Sequence, residues 1–92
     1  MTRLQELLGT ALPLIQAPMA GVQNHALAAA VSEAGGLGSL PCAMLTAEAM
    51  VQELQDLQAR TTRPFNVNFF CHTQPVPDPQ QEQAWHIALQ PF

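Results

Sequence analysis

The chain has 92 residues, of which 48% are hydrophobic and only 11% are charged. Its net charge of −4 argues against nucleic acid and anionic membranes as partners, because both attract clustered basic residues. No apolar run approaches the roughly 20 residues of a membrane-spanning helix, so we expect no membrane span.

The first predicted elements are a short helix and a short strand. Residues 2–8 are predicted to form one or two helical turns that end at Gly9, and residues 13–16 form the first strand. This strand leads into Ala17, Pro18, Met19 and a small pair at residues 20–21. Because few bulky side chains shield the peptide groups there, we expect a loop whose backbone can lie against a flat ligand.

The second unit repeats this order. Asn24 is predicted to cap a helix over residues 26–34, which ends at Gly35 and Gly36. A strand over residues 37–40 follows and is broken by Pro41. Since these glycines precede a strand rather than open a helix, the segment is not a dinucleotide-binding fingerprint.

The third unit begins at Thr46, which is predicted to cap a helix over residues 47–59. Pro64 precedes a strand over residues 65–70, and a proline-rich stretch then indicates a loop. A last helix is predicted over residues 80–90.

Helices and strands therefore alternate as βαβαβα, which predicts a parallel sheet with right-handed crossovers. The short strands and tight loops favour a TIM (β/α)8 barrel over an open doubly wound sheet. Three units cannot close a barrel, which typically has eight strands in about 250 residues. We expect the α/β fold of this chain to be the N-terminal βαβαβα part of such a barrel, incomplete by itself.

Unusual residues gather where the predicted strands end, at residues 17–21, 39–42 and 68–72. The chemistry of parallel α/β folds lies at the carboxyl ends of the strands, which share one edge of the sheet. We therefore expect one functional edge formed by all three segments. The alternative is the ordinary variability of loop composition.

Two asparagines stand out in the third strand. Asn66 and Asn68 face the same side of that strand, although asparagine is disfavoured in strands. Asn68 lies nearer the functional edge and is predicted to contact a polar ligand. A structural amide that bonds to neighbouring backbone is the alternative.

Cysteine and histidine predict no metal centre. Cys71 and His72 are adjacent, so their side chains do not converge in an extended strand, and their spacing matches no usual zinc pattern. His72 is a candidate substrate contact because of its place after the strand. Cys42 and Cys71 form no CxxC, and no export signal is apparent, so a reduced, cytoplasmic protein is expected.

Three runs of the chain resemble the nitronate monooxygenases, formerly called 2-nitropropane dioxygenases. They are residues 15–21 (IQAPMAG), residues 27–39, which include AGGLGS, and residues 63–70 (RPFNVNFF). The resemblance covers nearly the whole chain. The glycine-rich run is shared with FMN-type enoyl-ACP reductases and, more distantly, IMP dehydrogenase, whereas the first and third runs favour the monooxygenase.

The resemblance implies that residues 1–92 are the N-terminal fragment of a single FMN-binding barrel domain. The family oxidises alkyl nitronates with O2 to a carbonyl product and nitrite. The resemblance also implies that Ala17, Pro18 and Met19 lie beside the flavin ring and that Asn68 is a further flavin contact. The family's catalytic histidine belongs to later strands, so no catalytic residue is predicted here. We expect this chain alone to be inactive and to bind FMN weakly or not at all.

Two alternatives stay open. One is an FMN-dependent oxidoreductase of the enoyl-ACP reductase type. The other is a noncatalytic fragment that pairs with a partner chain, which would supply the rest of the barrel. The charged fraction lies well below the roughly 25% of an ordinary domain, which agrees with a surface that something else covers.

Overall fold

The computed structural model describes all 92 residues, Met1–Phe92. It contains four helices and two strands: α1 (Arg3–Leu8), α2 (His25–Glu33), β1 (Gly38–Pro41), α3 (Ala47–Arg60), β2 (Phe65–Asn68) and α4 (Pro79–Leu89). The four predicted helices are confirmed to within one residue at each end. None of them is long and apolar enough to cross a membrane.

The helices begin where the sequence predicts because each one has a capping side chain. Such a side chain accepts a hydrogen bond from an N–H group that lacks a partner in the first turn. Asn24 Oδ1 accepts from Ala26 N at 2.9 Å, and Thr46 Oγ1 accepts from Ala49 N at 3.1 Å. Thr2 and Asp78 cap the other two helices in the same way.

β1 and β2 are parallel neighbours, with Gly38 opposite Phe65 and Pro41 opposite Asn68. The first predicted strand is reduced to a single parallel bridge between Ile15 and Leu37. This bridge rests on two backbone hydrogen bonds of 2.9 Å, from Leu37 N to Leu14 O and from Gln16 N to Leu37 O. The predicted parallel order is therefore confirmed, while a strand over residues 13–16 is wrong.

Pro18 gives the physical reason for the short first strand. In a parallel ladder the next two bonds to β1 would run from Ser39 N to Gln16 O, which the Gln16 side chain replaces, and from the N–H of residue 18 to the carbonyl of Ser39. Proline has no N–H, so the second of these bonds cannot form. The third predicted strand is shorter too, because its pairing ends at Asn68 and Phe69 and Phe70 lie beyond it.

Helices α2 and α3 cover one face of the two strands. The buried core there consists of five residues: Ala28, Ala29, Leu40, Cys42 and Leu57. Phe65 and Val67 of β2 pack against it from the same face. Because side chains alternate along a strand, Ser39, Asn66 and Asn68 belong to the opposite face, away from the helices.

Ser32 and Gly38 fix α2 at its distance from the sheet. Ser32 Oγ accepts a hydrogen bond from Gly38 N at 3.1 Å and donates one to Pro64 O at 2.9 Å. A Cβ atom at Gly38 would collide with the carbonyl oxygen of Ala28 and would lie 2.7 Å from Ser32 Oγ. The helix can approach β1 this closely only because residue 38 has no side chain.

Much of the chain lies outside this small core. Only 14 of the 92 residues are buried, and α1 and α4 pack against no other helix or strand. The radius of gyration is 18.2 Å, whereas a compact domain of this length has about 12 Å. Large apolar side chains, such as Trp85 at 62% exposure, therefore remain without cover.

Replacement of Gly38 by alanine should destabilise the fold strongly. We expect Gly38→Ala to lower the free energy of unfolding by about 3 kcal/mol or more, because the new methyl group meets rigid backbone. Gly21→Ala is the matched control, since its φ of +82° is unfavourable but nothing lies within 4 Å of the new atom. The control should cost only about 1–2 kcal/mol. Urea unfolding followed by circular dichroism measures both, and equal losses would contradict the packing.

The two cysteines should differ sharply in reactivity. Burial, and then the nearby Glu53 carboxylate, raise the pKa of the Cys42 thiol above its ordinary value, whereas Cys71 is exposed. Because the thiolate is the reactive form, iodoacetamide at pH 8 should modify Cys71 first. Peptide mass spectrometry measures both rates, and urea should remove the difference. Equal rates in the folded chain would contradict the core.

The same pKa shift predicts how stability depends on pH. The unfolded Cys42 thiol ionises at its ordinary pKa, and the folded thiol ionises only at higher pH. The unfolded state therefore loses its proton first, so the stability contribution of Cys42 falls as the pH rises above the ordinary thiol pKa. A Cys42→Ala variant should show a smaller loss of stability across that range.

Candidate functional site

Three segments of the chain leave the sheet at the same edge. β1 and β2 are parallel and end at register partners, Pro41 and Asn68. The bridge at Ile15 is parallel to both, so residues 17–19 continue toward that edge as well. The carboxyl-end edge predicted from the sequence therefore exists in the structure.

Two glutamine side chains take over where the backbone ladder stops. Gln16 Oε1 accepts a hydrogen bond from Ser39 N at 2.9 Å, and Gln23 Nε2 donates one to Ser39 O at 3.0 Å. Gln16 Nε2 also donates to Gln23 Oε1 at 2.7 Å. Both polar backbone atoms of the buried Ser39 are thus satisfied without a third strand beside them.

The same pair of glutamines holds the loop at residues 17–19. Gln23 Oε1 accepts a second hydrogen bond, from Met19 N at 2.9 Å. The peptide between Pro18 and Met19 is therefore tied to the central strand through side chains. Sequence analysis missed this network. The available signal was two carboxamide residues that bracket the proline, but their shared partner lies 16 or more residues away and becomes apparent only in the fold.

The loop itself is largely open. Ala17 is exposed, Pro18 is half-buried and Met19 is 43% exposed. The carbonyl of Pro18 accepts no hydrogen bond within the chain. These residues thus offer a small, mostly apolar surface with a free acceptor.

The two asparagines of β2 have different roles. Asn66 Nδ2 donates to Ser39 Oγ at 3.2 Å, so Asn66 is a structural amide whose partner is a hydroxyl rather than backbone. The Asn68 carbonyl accepts from Cys42 N at 2.9 Å, while its half-buried side chain makes no hydrogen bond within the chain. Asn68 therefore has a carboxamide available at the edge, and its contact with a ligand stays a prediction.

The histidines and the exposed cysteine make no hydrogen bond to this loop, and the contact of His72 with a substrate stays a prediction. Cys71 and His72 lie beyond the end of β2. The His72 ring contacts Phe70, with the two ring centroids 5.5 Å apart. His86 lies on the exposed α4. His25, at the start of α2, belongs to the helix layer. No histidine of this chain is hydrogen-bonded to the residues 17–19 loop.

One other cluster contains residues that can ligate a metal. Ligand atoms of His25, Glu53 and Asp56 all lie within 4.8 Å of one another. Glu53 Oε2, however, already accepts from His25 N at 2.8 Å and lies 2.9 Å from His25 Nδ1. These bonds cap α2 and join it to α3, which accounts for the cluster as a helix–helix contact.

The sequence of this chain is similar to those of known proteins. Residues 1–90 match the sequence model of the nitronate monooxygenase family. The nitronate monooxygenase of Pseudomonas aeruginosa is 48% identical over 90 residues, which cover 98% of this chain and 26% of that protein. The nitronate monooxygenase of Paraburkholderia phytofirmans is 48% identical over 85 residues, which cover 92% of this chain and 23% of the relative.

Two solved structures resemble this chain in fold and sequence. A nitroalkane oxidase from Streptomyces ansochromogenes matches with a TM-score of 0.74 and 44% identity, over 96% of this chain and 24% of that one. FabK from Thermotoga maritima matches with a TM-score of 0.74 and 28% identity, over 99% of this chain and 28% of that one. The chain spans about a quarter of the lengths of these proteins. On the family match and the 48% identity of its curated relatives, this chain belongs to the nitronate monooxygenase family.

Proposed function

We propose that this chain is the flavin-contacting first part of an FMN-dependent nitronate monooxygenase. The reaction is the oxidation of an alkyl nitronate with O2 to a carbonyl product and nitrite. Membership in the family supports this proposal. The observation that carries it is the anchored loop at residues 17–19, which leaves the sheet at the same edge as the free carboxamide of Asn68.

The proposed domain is a TIM barrel in which residues 1–92 are the first βαβαβα part. The parallel order of the Ile15 bridge, β1 and β2 agrees with consecutive barrel strands. The free edge of β2 and the uncovered α1 and α4 are surfaces that further βα units would cover. A partner chain that supplies those units is the alternative.

The proposed FMN contacts are Ala17, Pro18, Met19 and Asn68. A flat ring needs a surface without bulky side chains, and the residues 17–19 loop is small and held in place. The Asn68 carboxamide can both donate and accept hydrogen bonds, as a ring with amide and imide groups requires. Bound FMN would supply the redox chemistry, and the chain would orient it. We assign no catalytic residue in this chain.

The second candidate is an enoyl-ACP reductase-like oxidoreductase, which the likeness to FabK supports. A nicotinamide cofactor would then be the electron donor. Two assays separate the candidates. The reductase candidate would oxidise NADH, whereas a nitronate monooxygenase would release nitrite.

A chimaera tests the proposed function. Residues 1–90 of this chain would replace the matching 26% of the Pseudomonas aeruginosa relative. The chimaera should copurify with FMN and should release nitrite from an alkyl nitronate in air. The 92-residue chain alone should retain no stoichiometric flavin. Folded chimaera without flavin absorbance, or NADH oxidation without nitrite release, would contradict the proposal.

Asn68 and Asn66 form a matched pair of variants in the chimaera. Asn68→Ala should weaken FMN binding about tenfold, the effect of one hydrogen bond to the ligand. Asn66→Ala should lower the unfolding midpoint, because it leaves Ser39 Oγ without its partner, and should change FMN affinity less than about threefold. Flavin fluorescence titration measures both affinities. The reverse order would exclude Asn68 as a flavin contact.

A further inference from the structure

The carboxamide of Gln23 is the most highly connected side chain of the candidate site. Its Oε1 accepts from Met19 N at 2.9 Å and from Gln16 Nε2 at 2.7 Å. Its Nε2 donates to Ser39 O at 3.0 Å and contacts Asn24 O at 3.4 Å. One side chain thus joins the loop, the central strand and the start of α2.

We infer that Gln23 is a positioning residue that sets the orientation of the Pro18–Met19 peptide against the bound ring. This inference rests on the proposed function, since it concerns the same loop. Gln16 supports Gln23 and completes the link to Ser39. Neither glutamine is proposed to take part in the chemistry.

The orientation of the peptide follows from its covalent geometry. No peptide bond of the chain is cis, so the N–H and C=O groups of the Pro18–Met19 peptide point in opposite directions. Gln23 holds the Met19 N–H, and the Pro18 carbonyl therefore points away from Gln23. That carbonyl has no partner within the chain, which leaves an acceptor for an N–H group of a heteroaromatic ligand.

The loop depends on a side chain to fix the Pro18–Met19 peptide. Pro18 removes the ladder bond that would normally hold this segment. The flanking carbonyls have only long hydrogen bonds, from Val22 N to Met19 O at 3.3 Å and from Gln16 Nε2 to Ala17 O at 3.4 Å. A rotated peptide would turn its N–H toward the ligand and withdraw the Pro18 acceptor. Gln23 prevents that rotation with a single bond to Met19 N.

Variants of Gln23 and Gln16 in the FMN-loaded chimaera test this role. Gln23→Ala should weaken FMN binding about tenfold and should shift the flavin absorbance spectrum. It should also speed hydrogen exchange at the Met19 amide about tenfold in the flavin-free chimaera. Gln16→Ala is the matched control, because it removes the bonds to Ser39 N and Gln23 and a long one, of 3.4 Å, to Ala17 O, but leaves Met19 N bonded to Gln23. The control should lower stability with a smaller effect on FMN and Met19.

A second variant covers the case in which Gln23→Ala does not fold. Gln23→Glu keeps an acceptor for Met19 N but loses the donor to Ser39 O. It should retain the slow exchange of the Met19 amide and bind FMN within about threefold of the parent. If Gln23→Glu keeps Met19 protection but loses about tenfold in FMN affinity, or loses that protection and binds FMN like the parent, the positioning role is wrong.

The outcomes separate the two proposals. If the loss of FMN affinity in Gln23→Ala and in Gln16→Ala simply follows the loss of stability in each variant, the network is merely structural and the inference is overturned. Unchanged exchange at Met19 in Gln23→Ala would overturn it as well, with the proposed function intact. A parent chimaera that folds but binds no FMN would overturn the proposed function, and the inference would fall with it.

Discussion

The absence of an N–H group at Pro18 determines much of this structure. It keeps the backbone ladder between the first segment and β1 from continuing to the carbonyl of Ser39, which is left without a backbone donor. A buried carbonyl without a partner is costly. Gln23 Nε2 donates to this carbonyl, and Gln16 Oε1 accepts from the N–H of the same residue. The chain thereby gains a loop that leaves the sheet early but is held firmly to its central strand.

β1 is the reference element for both faces of the sheet. On the helix side, Gly38 and Ser32 bring α2 into close contact with the strand. Away from the helices, the backbone of Ser39 is hydrogen-bonded to Gln16 and Gln23, and its hydroxyl accepts from Asn66. The apolar packing therefore fixes the strand, and the polar network fixes the loop to the strand. Helix α4 and the free edge of β2 belong to neither the apolar packing nor the polar network. In the proposed barrel, further units would cover them.

Sequence reasoning predicted the helices well because their signals are local. A capping side chain marks the start of each helix, and a glycine follows the end of α1 and of α2. The first strand was predicted too long because one missing N–H outweighed its apolar residues. The loop at residues 17–19 was found from its small residues. Gln16 and Gln23 were missed because their partner Ser39 is distant in sequence, and only the register separates the structural Asn66 from the available Asn68.

A crystal structure of the FMN-loaded chimaera would test the central claim most directly. The account predicts that Gln23 Oε1 lies within about 3 Å of Met19 N, with the flavin ring against residues 17–19 on the side of the Pro18 carbonyl. A structure in which the Met19 N–H faces the ring, with Gln23 turned away from Ser39, would contradict it.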